Sequence, residues 1–335
     1  MGNSKGFWKK NRNTILFYIP SLILAFTVLY LIGYDQVKKE LVDFGLLNVG
    51  MVVAIYFFRD AVLAFAWMRL LESRDFYSIF TANTVGVAIN AITPGAMAGE
   101  VVKGIIAAKN TDSKNVASSV FMLNIGYYVT TFFMLSLCMF LFVFIIEAKE
   151  VLQFLMVFSG TVFLFFSLFI FFGVAFISDF AKKMVKKIKY LPKHRSGKWL
   201  EEVLSTLKDD TKGERKKKFL EMIALQMVVR GADIAVQYAA WKVIFPSSGI
   251  KEALFFYSMR LVVQWMTNLI PSGWGVMEGA AYAVGELGWF PQVEAVMQQF
   301  ITRLCKLIAS LLYLLHYSFF KKVHKNGISE VRKID

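Results

Sequence analysis

The chain has 335 residues, 57% of them apolar and only 19% charged, with 33 phenylalanines and a mean hydropathy of +0.53. So few polar side chains cannot cover a water-soluble globule, and lipid must take the place of water over much of the surface. The formal net charge of +14 would suit a nucleic-acid partner, but the cations gather in segments between apolar runs, which membrane orientation explains and nucleic acid does not.

A basic N-terminus (Lys5, Lys9, Lys10, Arg12) leads into a first expected span over about 14–33. Its apolar run has no small-residue cleavage site, so it reads as an uncleaved helix and not as a signal peptide. A mixed-charge loop (Asp35, Lys38, Lys39, Glu40, Asp43) separates it from span two, about 50–70. The next stretch, Ser78 to Lys109, breaks at Pro94 and Gly95. At 1.5 Å per residue its arms reach roughly 24 Å and roughly 16 Å, so neither alone crosses a ~30 Å hydrocarbon core. It is either one long kinked span or a hairpin that dips in and returns.

Charge placement chooses between the two. Spans three and four follow at about 116–146 and 151–177, and after them residues 178–218 carry fourteen Lys or Arg against six acids. Such a loop stays cytoplasmic, which requires 78–109 to re-enter. Within it, "DFAKKMVKKIKYL" (Asp179 to Leu191) has the spacing of a helix lying on anionic lipid. Span five is expected at about 219–245 and span six at about 293–319, with a second re-entrant stretch, 253–287, broken at Pro271, Gly273 and Gly275. The basic tail (Lys321, Lys322, Lys325, Arg332, Lys333) then falls inside. The expected fold is an all-α polytopic membrane protein, one membrane domain over 1–335, with six spans and two re-entrant broken-helix hairpins. Both termini are expected in the cytoplasm and the protein in the plasma or inner membrane.

The two broken stretches repeat one another. "NAITPGAMAGE" (Asn90 to Glu100) and "NLIPSGWGVME" (Asn268 to Glu278) both run from Asn to Glu over ten positions with Pro and Gly between. Each follows a span holding an Arg and an Asp, Arg59 with Asp60 and Arg230 with Asp233. Residues 50–146 and 219–319 are thus one unit used twice, in opposite orientation if the spans alternate as above. Transporters use inverted repeats of this kind to place a substrate site near the bilayer midplane.

"PGAMAGEVVKG" and "PSGWGVMEGA" carry a further implication. They are similar to the paired Pro-Gly and Gly-Glu motifs of the lysylphosphatidylglycerol synthase transmembrane-region family, also called flippase-like, and the resemblance covers about residues 10–320. Members fused to a soluble aminoacyltransferase domain make and flip aminoacylated phospholipid. This chain ends at Asp335, so that domain is expected to be absent and the synthase activity is not carried over.

Ionisable groups at membrane depth face a cavity, a partner or a pathway. The candidates are Arg59, Asp60, Glu100, Lys103, Arg230, Asp233, Arg260, Glu278, Arg303 and Lys306, six cations against four acids, an excess suited to an anionic headgroup. Half-helices beginning near Gly99 and Gly275 would aim backbone amides at a phosphate. The expected substrate site is therefore Asn90, Pro94, Gly95, Gly99, Glu100, Lys103, Asn268, Pro271, Gly273, Gly275 and Glu278 with Arg59, Asp60, Arg230, Asp233 and Arg303. Simpler readings stand beside it. The Arg and Asp pairs are equally read as ion pairs that hold helices in register. Glu100 and Glu278 suit helix caps, and Lys103 suits a partner of Glu100 one turn away. Arg260 suits snorkelling to the outer interface.

Neither cysteine (Cys138, Cys305) nor the scattered histidines form a metal or catalytic spacing, so no cofactor or metal is expected. The expected function is a translocase for an anionic phospholipid or lipid-linked precursor, with a homo-oligomer left open. The alternatives are an integral membrane synthase or transferase acting on phospholipid or polyprenyl phosphate, and a small-ion or solute channel.

Overall fold

The computed structural model describes residues 23, 26–93, 98–109, 111–145, 150–187, 213–266, 275–286 and 290–331. Among them every regular element is a helix. Residues 26–32 are helical and stop at Gly33, whose φ of 97° lies in the left-handed region. The helices that follow are α1 (Tyr34–Leu71), α2 (Phe76–Ile92), α3 (Ala98–Ala107), α4 (Ser113–Ile145), α5 (Glu150–Lys187), α6 (Gly213–Ile244), α7 (Ile250–Met266), α8 (Val276–Glu286) and α9 (Gln292–Val331).

Four of them are long and apolar enough to cross a membrane: α1, α4 over Ser113–Phe144, α5 over Gln153–Gly173 and α9 over Gln292–Phe319. The protein is a multi-pass, all-helical membrane protein. At 32 residues α6 is long enough as well, but Arg230, Asp233 and Lys242 with Gln226 and Gln237 make it too polar to qualify on composition. Of the first expected span, residues 14–22 lie outside the described residues.

Two expectations need correction. The mixed-charge loop after the first span is helical: Tyr34 to Phe44 forms the start of α1, with Val37 and Phe44 packed inward and Asp35, Lys38, Lys39 and Asp43 exposed. Val37 and Phe44, two turns apart, share the inward face of about three helical turns, which the charges alone disguised. Gly45 (φ 69°, ψ 158°) then breaks the helix before the apolar run begins, a conformation costly for any residue with a Cβ. The second correction concerns the separate interfacial helix at Asp179 to Leu191. Residues up to Lys187 continue α5 without interruption, and 188–212, most of the basic segment, lie outside the described residues.

The helices begin where the sequence supplies caps. Asp75 Oδ1 accepts the Ser78 N–H at 2.9 Å ahead of α2. Glu252 reaches back to the Gly249 N–H at 2.6 Å, opening α7 with an acid three residues after the capped amide.

The chain separates into two compact units, one made of Met1–Phe57, Thr84–Val102 and Ala235–Asp335, the other of Phe58–Asn83 and Lys103–Ile234. The first unit packs around Phe44, Tyr56, Met297, Ile301 and Tyr313, with Phe57 edge-on to Tyr313 at 4.7 Å. A second core joins Trp241, Phe256 and Phe290, the Trp241 and Phe256 rings 4.8 Å apart. In the second unit α4 packs along α5. Phe132 stacks on Phe163 and Phe166, and the Ser167 hydroxyl donates to the Val129 carbonyl at 3.0 Å. Half of the most apolar window of α4 is buried but only 11% of that of α5, so Phe154, Phe158, Phe165, Phe169 and Phe172 face outward as a lipid surface.

With lipid as solvent, helices are held by close packing and interhelical hydrogen bonds, the latter worth about 0.6 kcal/mol each. Gly160 makes the α4–α5 approach: a Cβ there would lie 3.1 Å from the Phe140 ring and 3.3 Å from Met139 Cβ. Gly160→Leu is expected to lower thermal stability in detergent by about 1–3 kcal/mol through overpacking. Leu155→Ala, on the half-exposed outer face, should leave the melting temperature nearly unchanged.

Candidate functional site

The first broken helix reverses direction. The Gly99 N–H donates to Asn90 Oδ1 at 2.7 Å, and a Cβ on Gly99 would stand 2.0 Å from the Gly86 carbonyl oxygen. A helix running on through would have carried Gly99 about 20 Å past Gly86, thirteen residues earlier. The chain therefore doubles back between α2 and α3. Asn90, from the first arm, caps the second arm, and only a residue without a side chain fits at Gly99. Glu100 Oε1 lies 3.5 Å from Asn90 Nδ2, at the long limit of a hydrogen bond. Pro94 and Gly95 lie outside the described residues.

Lys103, one turn further on, belongs to the other unit. It is buried, and its ammonium stands 5.0 Å from the centre of the Trp67 ring, whose Nε1 donates to Ser119 Oγ at 2.9 Å. One of its contacts is thus a cation–π one on the wholly buried Trp67.

The second broken helix has the same proportions: arms of 17 and 10 residues in α2 and α3, 17 and 11 in α7 and α8. Asn268, Pro271 and Gly273 lie outside the described residues. Gly275 opens α8 at φ 79°, and its N–H donates to Glu278 Oε2 at 2.8 Å. Here the Glu is the cap, where in the first hairpin the Asn is; the equal Asn-to-Glu spacing conceals a different division of labour. The other carboxylate oxygen of Glu278 contacts Arg303 Nη2 on α9. Both side chains are deeply buried, Glu278 completely.

Arg303 also lines a small cleft with Ala91, Arg260, Gln264, Met277, Lys306 and Leu307. Ala91 adjoins Asn90 and Met277 adjoins Glu278, so residues next to both breaks border this one space. Its described lining contains three cationic side chains and no carboxylate. Arg260, read from sequence as an interfacial residue, belongs to this lining. Gln264 was missed altogether, since a single Gln in α7 carries no pattern.

In the other unit, Arg59, Asp60, Arg230 and Asp233 form one chain of ion pairs. Arg59 Nη1 donates to Asp60 Oδ1 at 2.8 Å, Arg59 Nε lies 2.8 Å from Asp233 Oδ1 as an ion pair, and Arg230 Nη1 lies 3.3 Å from Asp233 Oδ2. Arg230 also donates to the Tyr127 carbonyl at 3.3 Å and to Thr130 Oγ1 at 3.4 Å, with its guanidinium 4.1 Å from the centre of the Tyr127 ring. Sequence spacing paired each Arg with its nearest Asp; the structure crosses the pairs, so that Asp233 of α6 serves Arg59 of α1 as well. Two cations meet two carboxylates.

Sequence reasoning also missed a wholly buried amide cluster. Gln237 Oε1 accepts from Gln298 Nε2 at 2.8 Å and from Gln299 Nε2 at 3.4 Å, and Gln299 Nε2 donates to Gln298 Oε1 at 2.7 Å. The signal was present, two adjacent glutamines inside an apolar span. Among the described residues no group of His, Cys, Asp and Glu is arranged to hold a metal ion.

A profile described as the lysylphosphatidylglycerol synthase TM region matches residues 15–313. The chain belongs to this family. Membership ties it to membrane-lipid chemistry, as flippase or as the transmembrane part of a synthase, and the matched region includes both hairpins, the ion-pair chain and the cleft. No curated protein and no solved structure matches the chain.

The close approach at Gly99 gives a direct check on the hairpin. Gly99→Val is expected to abolish recovery of folded, monodisperse protein, because the obstacle at 2.0 Å is backbone and cannot rotate away. Gly104→Ala, five residues along the same helix with nothing within 4 Å, should fold at least as well as the unaltered chain, since Ala favours a helix by about 1 kcal/mol over Gly.

Proposed function

We propose that this protein is a translocase that moves an anionic phospholipid or lipid-linked precursor across the membrane. The observation that carries the reading is the cleft where the inner ends of two broken-helix hairpins meet, lined by Arg260, Arg303 and Lys306. Cationic side chains among membrane helices mark substrate or ion pathways, and three of them line this one space. A phosphate is the anion that a lipid supplies, and an arginine fork binds it with directed, charge-assisted hydrogen bonds. The opening turns of α3 and α8 add oriented amides near the same place.

In this proposal the hairpins are re-entrant, the units 50–146 and 219–319 are an inverted repeat, and the cleft lies at membrane depth. The matched arm lengths and the reversal at Gly99 support that arrangement. Arg59, Asp60, Arg230 and Asp233 act as a clasp that holds α1 and α6 together, because each cation already has a carboxylate. The phosphate is taken by Arg260, Arg303 and Lys306, which line the cleft, with Asn90 and Gly99 beside one break and Gly275 and Glu278 beside the other. The basic segment 178–218 and both termini face the cytoplasm.

Transport is tested in proteoliposomes carrying a fluorescent anionic phospholipid, with fluorescent phosphatidylcholine as the comparison. The unaltered chain is expected to speed transbilayer movement of the anionic lipid alone. Replacing both Arg260 and Lys306 by Gln should slow it tenfold or more, because a hydrogen bond to a charged group is worth about 1.5–3 kcal/mol. Movement of neither lipid, or equal rates in the double variant, would contradict the proposal.

Orientation is tested separately. With Cys138 and Cys305 both buried, a cysteine introduced by Ser205→Cys should react with a membrane-impermeant maleimide only after the cells are opened. Labelling in intact cells would place 178–218 outside and invert the arrangement.

A further inference from the structure

Glu278 does two things at once. One oxygen accepts the Gly275 N–H at 2.8 Å, which fixes the first turn of α8 next to the break, and the other contacts Arg303 Nη2. It is wholly buried and lies beside the cleft without being part of its lining, while Arg303 reaches into it. A guanidinium buried at this depth needs a counter-ion at every moment, because leaving one charge of a buried pair unmatched is strongly unfavourable. A carboxylate and a phosphate offer an arginine the same chemistry, two oxyanion acceptors for its planar fork.

We propose that Glu278 is a built-in counter-ion that holds Arg303 while the cleft is empty and yields it to the anionic headgroup when one enters. The exchange is one oxyanion for another on Arg303, so the pocket is never left with a bare charge. It also links occupancy to backbone position. The carboxylate that lets go of Arg303 is the one that anchors Gly275, a residue at φ 79° at the end of the broken segment, so binding loosens the start of α8. A first turn of α8 that is held in the empty cleft and loosened in the loaded one is the behaviour that moving a headgroup past it requires. The inference rests on the translocase reading above, in which the cleft binds a lipid anion.

The test uses the purified full-length chain in a neutral detergent, with dioctanoyl phosphatidylglycerol as the probe and dioctanoyl phosphatidylcholine as the comparison. Glu278→Gln keeps an acceptor oxygen for the Gly275 N–H but removes the competing charge. It is expected to bind the anionic probe at least tenfold more tightly than the unaltered chain, to bind the zwitterionic probe no differently, and to flip labelled anionic lipid more slowly. Equal or weaker anion binding by this variant would show that Glu278 only positions Arg303, and would overturn the proposal.

Should the variant not fold, hydrogen exchange on the unaltered chain decides instead. Adding the anionic probe should speed exchange of the amides at 275–279, and slowed or unchanged exchange there overturns the counter-ion role. If the unaltered chain binds no anionic probe at all, it is the translocase reading that fails.

Discussion

A charge carried into lipid must be matched there. Water cannot reach it, and an unpartnered ion at the bilayer centre costs several kcal/mol even on the most lenient scales. Much of this structure follows from that constraint. In one unit the two arginines and two aspartates of α1 and α6 neutralise one another in a single chain. In the other, Arg303 rests on Glu278. Removing one member of such a set strands its partner at a cost of about 3–5 kcal/mol, whereas the intact pair adds little net stability. The pairs therefore specify which helices meet more than they hold them together, and the packing of Phe132, Phe163, Gly160 and the aromatic core around Trp241 supplies the cohesion.

The chain of ion pairs and the lining of the cleft are made of different residues. That contrast separates two sets of residues that look alike in the sequence. Arg59 and Arg230 sit in helices that also carry aspartates within three positions, and those aspartates take them up. Arg260, Arg303 and Lys306 come from α7 and α9 and line one cleft, and Glu278 pairs with Arg303. The cleft they share lies next to the inner ends of both hairpins, so the broken helices bring together polar groups that an unbroken span would have carried apart.

Much of this was legible beforehand, for reasons that differ from residue to residue. The membrane class followed from composition, because no arrangement of so apolar a chain could face water. The stretches expected to break at Pro94 and Pro271 fall between α2 and α3 and between α7 and α8, with the residues of the breaks themselves outside the described ones. The helical start of α1 was not legible, since five charges within nine residues read as a loop until Val37 and Phe44 are seen to share one face. The crossing of the ion pairs was hidden too. Sequence puts Arg59 beside Asp60, but only three-dimensional proximity of α1 and α6 could join it to Asp233. Nor could spacing tell that Asn90 caps one hairpin while Glu278 caps the other, because both stand in equivalent places.

The central claim is that the lipid anion is held by the three cations where the broken helices meet. It is tested most directly by an experimental density map of the chain in nanodiscs made of anionic phospholipid. A headgroup within hydrogen-bond reach of Arg260, Arg303 and Lys306, bordered by Ala91 and Met277, is the predicted result. A map in which that cleft is closed to lipid while a headgroup sits elsewhere among the helices would contradict it.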